Sequence, residues 1–187
     1  VVTVGPAGTG KTYLAMQAAV KALKEGACDR IVMTRPAVGV EGEQHGFLPG
    51  NLVAKMEPWT RPLLDVMREY YRPQDIVALI EDQVVEIAPL AFMRGRTFKN
   101  SWIIADEMQN ATPAQAKMLM TRIGTNSKIV ITGDVEQADR SNGDNGLLDL
   151  CERLAATSVA GIAVCALEGR DIQRHSIIGS VLKLYAV

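Results

Sequence analysis

The sequence predicts an α/β fold: a three-layer sandwich in which helices cover a mostly parallel central sheet. Three observations predict it. Short β-branched runs alternate with longer amphipathic stretches along the chain. A glycine-rich segment, residues 5–12, joins the first run to the first helix. Two later runs end in acidic residues, which places those residues at one edge of the same sheet.

Each element has a local reason. Val1–Val4 reads as a buried strand ending at Gly5. Thr12–Glu25 reads as a helix, with Leu14, Ala18, Ala22 and Leu23 on one face and Gly26 as its stop. Arg30–Thr34 is the second strand. Residues 36–50 hold four glycines, two prolines and two glutamates, a long loop of the kind that is usually functional. Leu52–Tyr71 has helical periodicity through Leu63, Val66, Met67 and Tyr70, and Pro58 and Pro62 must break or restart it. Val84–Ile87 and Trp102–Ala105 read as strands. Thr112 as N-cap, Pro113 in the first helical position and Gln115 three residues on form a capping box. That helix should run to about Ile123, before Gly124. Lys128–Thr132 is a strand and Leu147, Leu150, Cys151 and Leu154 mark a helix. Ile162–Ala166 is a strand, and Ile177, Ile178, Val181, Leu182 and Tyr185 mark a closing helix.

Composition narrows the function classes. With 187 residues the chain suits one domain, and 48% hydrophobic against 22% charged residues excludes intrinsic disorder. A net charge of −1 argues against coating nucleic acid by bulk positive charge, although a local basic groove stays open. Aromatics at 5% leave little from which to build a stacking platform. Cys28, Cys151 and Cys165 are odd in number and widely spaced, and read as small buried hydrophobes in a reducing compartment. No apolar run is long enough to cross a bilayer and no signal peptide opens the sequence, so a cytoplasmic location is expected. The chain opens inside a strand, so residues 1–187 are expected to lack an upstream segment.

The chemistry begins with Gly5-Pro6-Ala7-Gly8-Thr9-Gly10-Lys11-Thr12, a complete G-x-x-x-x-G-K-[ST] phosphate loop. Its glycines let successive backbone N–H groups point at phosphate oxygens, and the loop feeds a helix N-terminus that favours anions. Lys11 would reach the β- and γ-phosphates of ATP, and the Thr12 hydroxyl would join the Mg2+ shell. Trp102-Ile103-Ile104-Ala105-Asp106-Glu107 adds a carboxylate pair at a strand end. Asp106 would hold Mg2+, through water, and Glu107 would orient or deprotonate the attacking water. By itself an apolar strand before two acids is usually structural; downstream of a phosphate loop it reads as catalytic. An extra strand is expected between the two motif strands. In Ile131-Thr132-Gly133-Asp134-Val135-Glu136-Gln137, Gln137 is spaced to sense the γ-phosphate. Taken alone, that triplet would be a turn with a solvated glutamine.

The phosphate loop, D-E-x-Q-N (Asp106, Glu107, Gln109, Asn110) and G-D-x-x-Q (Gly133, Asp134, Gln137) resemble superfamily-1 helicase motifs. Thr34-Arg35-Pro36-Ala37, Gly46-Phe47-Leu48-Pro49-Gly50, Met93-Arg94-Gly95-Arg96-Thr97 and Arg174-His175 are similar to the PhoH-like family, over essentially the whole chain. The resemblance implies a RecA-like P-loop ATPase, cytoplasmic, often assembled as a hexameric ring and linked to RNA. Met108 stands where that family usually has alanine. Ala138-Asp139-Arg140-Ser141 lacks its leucine-proline, and Ser176 replaces a proline.

The expected function is therefore Mg2+-dependent ATP binding and hydrolysis coupled to RNA remodelling. The alternatives are a nucleotide-operated regulatory or assembly module and a kinase; the acid pair and the lack of an obvious acceptor site and lid argue against the kinase. Absence of an N-K-x-D motif is consistent with adenine over guanine. Arg174 is the first candidate for an arginine finger and Arg170 the second. One domain would receive that finger most simply from a neighbouring copy, which predicts a homo-oligomer. Arg94, Arg96 and Lys99 form the one local basic cluster and, with Arg35, are the candidate RNA contacts. Phe92 and Phe98 are the only aromatics beside them. His45 and His175 are not expected to bind metal.

Overall fold

The computed structural model describes residues 1–36, 61–137 and 145–172. Among these, six strands form one sheet: β1 (Val2–Val4), β2 (Arg30–Arg35), β3 (Val85–Pro89), β4 (Ser101–Ala105), β5 (Lys128–Gly133) and β6 (Val164–Ala166). Their spatial order is β3-β2-β4-β5-β1-β6 and every pairing is parallel. The helices are α1 (Lys11–Lys24), α2 (helical residues 61–68), α3 (Pro73–Glu81), α4 (Pro113–Met120) and α5 (Gly146–Ala156).

The apolar runs become strands because both sheet faces are covered. Ile31, Met33, Ile104 and Val130 point to one face, where they pack with Met16, Ala19 and Val20 of α1 and Leu63, Val66 and Met67 of α2. Val32, Ile103, Ile129 and Ile131, one residue out of phase, point to the other, against Ala116 and Leu119 of α4 and Leu147 of α5. This is the three-layer, RecA-like arrangement expected. β5 lies between β1 and β4, so one strand separates the phosphate-loop strand from the acid-pair strand.

Several local expectations need correcting. Leu14 and Ala18 are exposed, and α1 buries Ala15, Met16, Ala19, Val20 and Ala22 instead. Those positions recur at three and four residues, so Leu14 belongs to the outer face. The capping box of α4 is present, with Thr112 Oγ1 accepting from Gln115 N (3.2 Å) and Gln115 Oε1 from Thr112 N (2.9 Å). That helix stops at Met120, short of Ile123. The chain must turn there to lay Ile123 beside Phe98, and Gly124 fits only without a side chain, since a Cβ would lie 2.3 Å from Phe98 O. α3 was not foreseen. Pro73 sits in its first turn, where proline is tolerated, and Arg72 pairs with Asp75 across that turn (2.9 Å). Of the cysteines, Cys28 is buried, Cys151 half-buried and Cys165 exposed on β6, and none forms a disulfide. The loop of residues 37–50 and the closing helix lie outside the described residues. Among the described residues no helix is long and apolar enough to cross a membrane.

Candidate functional site

The phosphate loop curls at the carboxyl end of β1. Gly8 (φ 86°) and Gly10 (φ 81°) occupy the left-handed region, which a residue with a Cβ enters only at a cost. Gly5 is tight for another reason: a Cβ there would lie 2.4 Å from Leu167 O, in the segment that follows β6. Thr9 Oγ1 donates to Pro6 O (2.9 Å) and closes the loop from within. Lys11 folds back over it, its Nζ donating to Gly5 O (2.6 Å) and Pro6 O (2.8 Å). An ammonium held by loop carbonyls can exchange those acceptors for phosphate oxygens when an anion enters.

The acid pair meets the loop directly. Thr12 Oγ1 donates to Asp106 Oδ1 (2.7 Å), and Thr132 Oγ1 donates to the same oxygen (2.5 Å). Asp106 is 4% exposed, so its carboxylate is held by hydroxyls rather than by water. Strand register produces this meeting. Ala105 pairs with Ile131, so Asp106, just past the end of β4, lies beside Thr132, which is still within β5. Thr132 was missed in the sequence; a hydroxyl in an otherwise apolar strand, one residue before Gly-Asp, was the available signal.

Glu107 turns out of β4 with φ 55° and ψ 40°, the left-handed region, and opens a short 3-10 turn, Met108–Asn110. For a non-glycine residue that conformation costs on the order of 1 kcal/mol. The turn brings Gln109 back beside it: Gln109 Nε2 donates to Glu107 Oε2 (2.5 Å), and Gln109 Oε1 accepts from Asp134 N (3.2 Å). A cavity of about 440 Å³ opens over the loop, walled by Gly8, Gly10, Lys11 and Thr12, by Glu107, and by Tyr13, Asp65 and Glu69. Tyr13 Oη donates to Glu69 Oε2 (3.1 Å), which ties α1 to the end of α2.

The remaining candidates divide. Gln137 is exposed in the turn after β5, its N–H donating to Asp134 O (3.3 Å). Arg170 is exposed and pairs with Glu168 (3.2 Å) in the segment that abuts Gly5. Arg174 lies outside the described residues. Arg96 makes a bidentate pair with Glu86 (2.5 and 2.7 Å) and stacks on Phe98 (4.5 Å), so its guanidinium joins β3 to the chain entering β4. Phe98 is buried, which removes it as a stacking surface, whereas Phe92 is 53% exposed beside exposed Arg94. Arg35 ends β2 opposite Pro89, and the 3-10 turn carrying Phe92 follows Pro89.

The donor set is oxygen-rich and hard. Among the described residues no three His, Cys, Asp or Glu side chains gather as a metal cage. One hydroxyl and one carboxylate, Thr12 and Asp106, suit a cation that keeps most of its water and takes further oxygens from phosphate, as Mg2+ does.

Comparisons with known proteins give the chain a family. The family model described as PhoH-like protein matches residues 1–186. A PhoH-like protein of Synechocystis sp. is 46% identical over 182 residues, covering 97% of this chain and 55% of that protein. One from Bacillus subtilis is 45% identical over 182 residues, covering 97% and 56%. The chain thus spans little more than half the length of these relatives. A solved structure of two Pif1 helicases coordinating DNA unwinding at forked duplex DNA aligns with 98% of this chain and 43% of its own. Its TM-score is 0.37 and its identity 14%, a likeness too distant to build on.

Proposed function

The chain belongs to the PhoH-like family, and from that membership and the loop geometry we propose that it binds ATP with Mg2+ and hydrolyses the γ-phosphate by in-line attack of water. The observation that carries the reading is the 2.7 Å bond between Thr12 and Asp106, which joins the phosphate loop to the acid-pair strand at one point. Lys11 and the loop N–H groups hold the phosphates; Thr12 and Asp106 hold the cation. Mg2+, when bound, supplies charge neutralisation at the phosphate oxygens. Glu107, in the cavity wall, orients the water and takes its proton, and Gln137, on the turn after β5, senses the γ-phosphate. Glu107→Gln tests this: ATP binding is retained and turnover falls roughly 10²- to 10⁴-fold. Full turnover in that variant would sink the assigned role.

RNA is the proposed partner, and exposed Phe92 and Arg94 with Arg35 near the carboxyl edge of β2 and β3 favour it. Arg96 drops out of that surface because Glu86 holds it. A homo-oligomeric ring, with an arginine finger from a neighbouring copy, is the proposed assembly. ATPase rates with and without single-stranded RNA, measured beside sizing, separate an RNA-directed motor from a regulatory module. The motor is stimulated by RNA; the module changes assembly with nucleotide and ignores RNA.

A further inference from the structure

Gln109 belongs to the acid-pair motif, yet neither the phosphate loop nor the cation needs it. It is 3% exposed, and both ends of its amide are used. The amino end donates to Glu107 Oε2 and the carbonyl end accepts from Asp134 N, in the residue that follows β5. The amide therefore bridges two strand ends, β4 and β5. Neighbouring positions are shaped around it. Glu107 takes its left-handed conformation at the mouth of the turn, which lets a residue two places on reach back to its carboxylate. Gly133 leaves the room: a Cβ there would lie 2.4 Å from Gln109 Oε1 and 2.5 Å from Leu147 Cδ2. Asp134 in turn accepts from Glu136 N through Oδ1 (3.0 Å) and from Gln137 N through its carbonyl (3.3 Å), so the bridge continues into the turn that carries Gln137.

Resting on the ATPase reading above, we propose that Gln109 is a positioning residue. It fixes the Glu107 carboxylate against the water to be activated and ties that carboxylate to the backbone of the loop after β5. The donor hydrogen bond holds one carboxylate oxygen, so the other is directed into the cavity. Movement of the β5 loop when a γ-phosphate arrives or leaves is then transmitted to Glu107 through a single rigid amide. An isolated carboxylate on a left-handed residue would rotate and lose aim, and an error of about 1 Å in a reacting group costs roughly 10²-fold in rate.

The test compares Gln109→Met, which keeps size and removes both hydrogen bonds, with Gln109→Glu, which keeps the acceptor for Asp134 N and sets a second carboxylate beside Glu107. Both should bind ATP within about twofold of the wild type while kcat falls roughly 10- to 100-fold. Gln109→Met combined with Glu107→Gln should be no slower than Glu107→Gln alone, because the two side chains act as one unit. If Gln109→Met keeps wild-type kcat, or if the losses multiply in the double variant, the positioning role is overturned. If Gln109→Met loses ATP affinity in step with kcat, a general structural role replaces it. A wild-type chain that turns over no ATP overturns the ATPase reading and this proposal together, whereas the other failures leave that reading standing.

Discussion

Thr12 and Asp106 stand 94 residues apart in the chain and share a 2.7 Å hydrogen bond. The bond forms because α1 starts at the end of β1 while Asp106 leaves β4, and both strands flank β5 in a parallel sheet. The same carboxylate oxygen accepts from Thr132 on the strand between them. An acid buried this deeply is aimed by its donors, so each donor has a separable consequence.

Thr132→Val keeps shape and removes one donor. Its loss should weaken Mg2+-dependent ATP binding by about 1 kcal/mol, roughly fivefold, and leave metal-free nucleotide binding unchanged. A magnesium titration followed with a fluorescent nucleotide checks this. Equal losses with and without the metal would show that Thr132 serves the strand rather than the site.

Lys11→Ala removes the ammonium that spans Gly5 O and Pro6 O. A charge-assisted contact to phosphate is worth about 1.5–3 kcal/mol, so ATP affinity should drop about 10- to 100-fold in a calorimetric titration. Unchanged affinity would contradict the loop's assignment.

Glu86 gives a stability prediction with a sign. Its hydrogen bonds from Arg96 hold the carboxyl below its ordinary value of 4.5, with the charges of Arg96 and Arg30 adding to the effect against the opposing pull of burial. A carboxyl lowered in the folded state stabilises the protein above its unfolded value, and that contribution is lost as pH falls through the folded value. Arg96→Met should therefore cost about 1 kcal/mol in urea unfolding at pH 7, with the difference from wild type shrinking progressively below pH 4.5. A difference that does not change with pH would mean that stacking on Phe98, not the ion pair, is what Arg96 supplies.

Thr112→Ala breaks the capping box of α4. About 1 kcal/mol should be lost, a fall of roughly 2–4 °C in Tm for a chain of this size, with ATP affinity unaffected. A scan by circular dichroism measures it.

Much of the site was legible because its chemistry is contiguous. Gly5 to Thr12 carries the loop's glycines, lysine and hydroxyl in one run, and no fold is needed to see that they act together. Thr112 with Gln115 was legible for the same reason, since a capping box spans only four residues. The missed features have partners that the chain does not supply locally, or conformations that spacing cannot show. Gln109 sits inside a motif that was read, but its bonds depend on Glu107 adopting a left-handed turn and on β5 arriving next door. Arg96 read as a free cation because Glu86, ten residues away, becomes its neighbour only when the chain leaving β3 loops back toward β4. Leu14 was placed on the wrong face because one helix offers more than one apolar stripe, and the sheet chooses between them.

The sequence by itself determined the kind of chemistry: a phosphate loop, an acid pair at a strand end, and buried strands that alternate with helices. Those follow from residue type and short spacing, which local sterics and hydrogen bonding translate directly into structure. Only the tertiary structure decided who meets whom. Strand order set β5 between β1 and β4, and register set Ala105 beside Ile131. From those two facts Asp106 acquires Thr12 and Thr132, and Gln109, bound to Glu107 across its own turn, reaches the loop after β5. Packing of both sheet faces selects that order, because it is a property of the whole core and of no single segment.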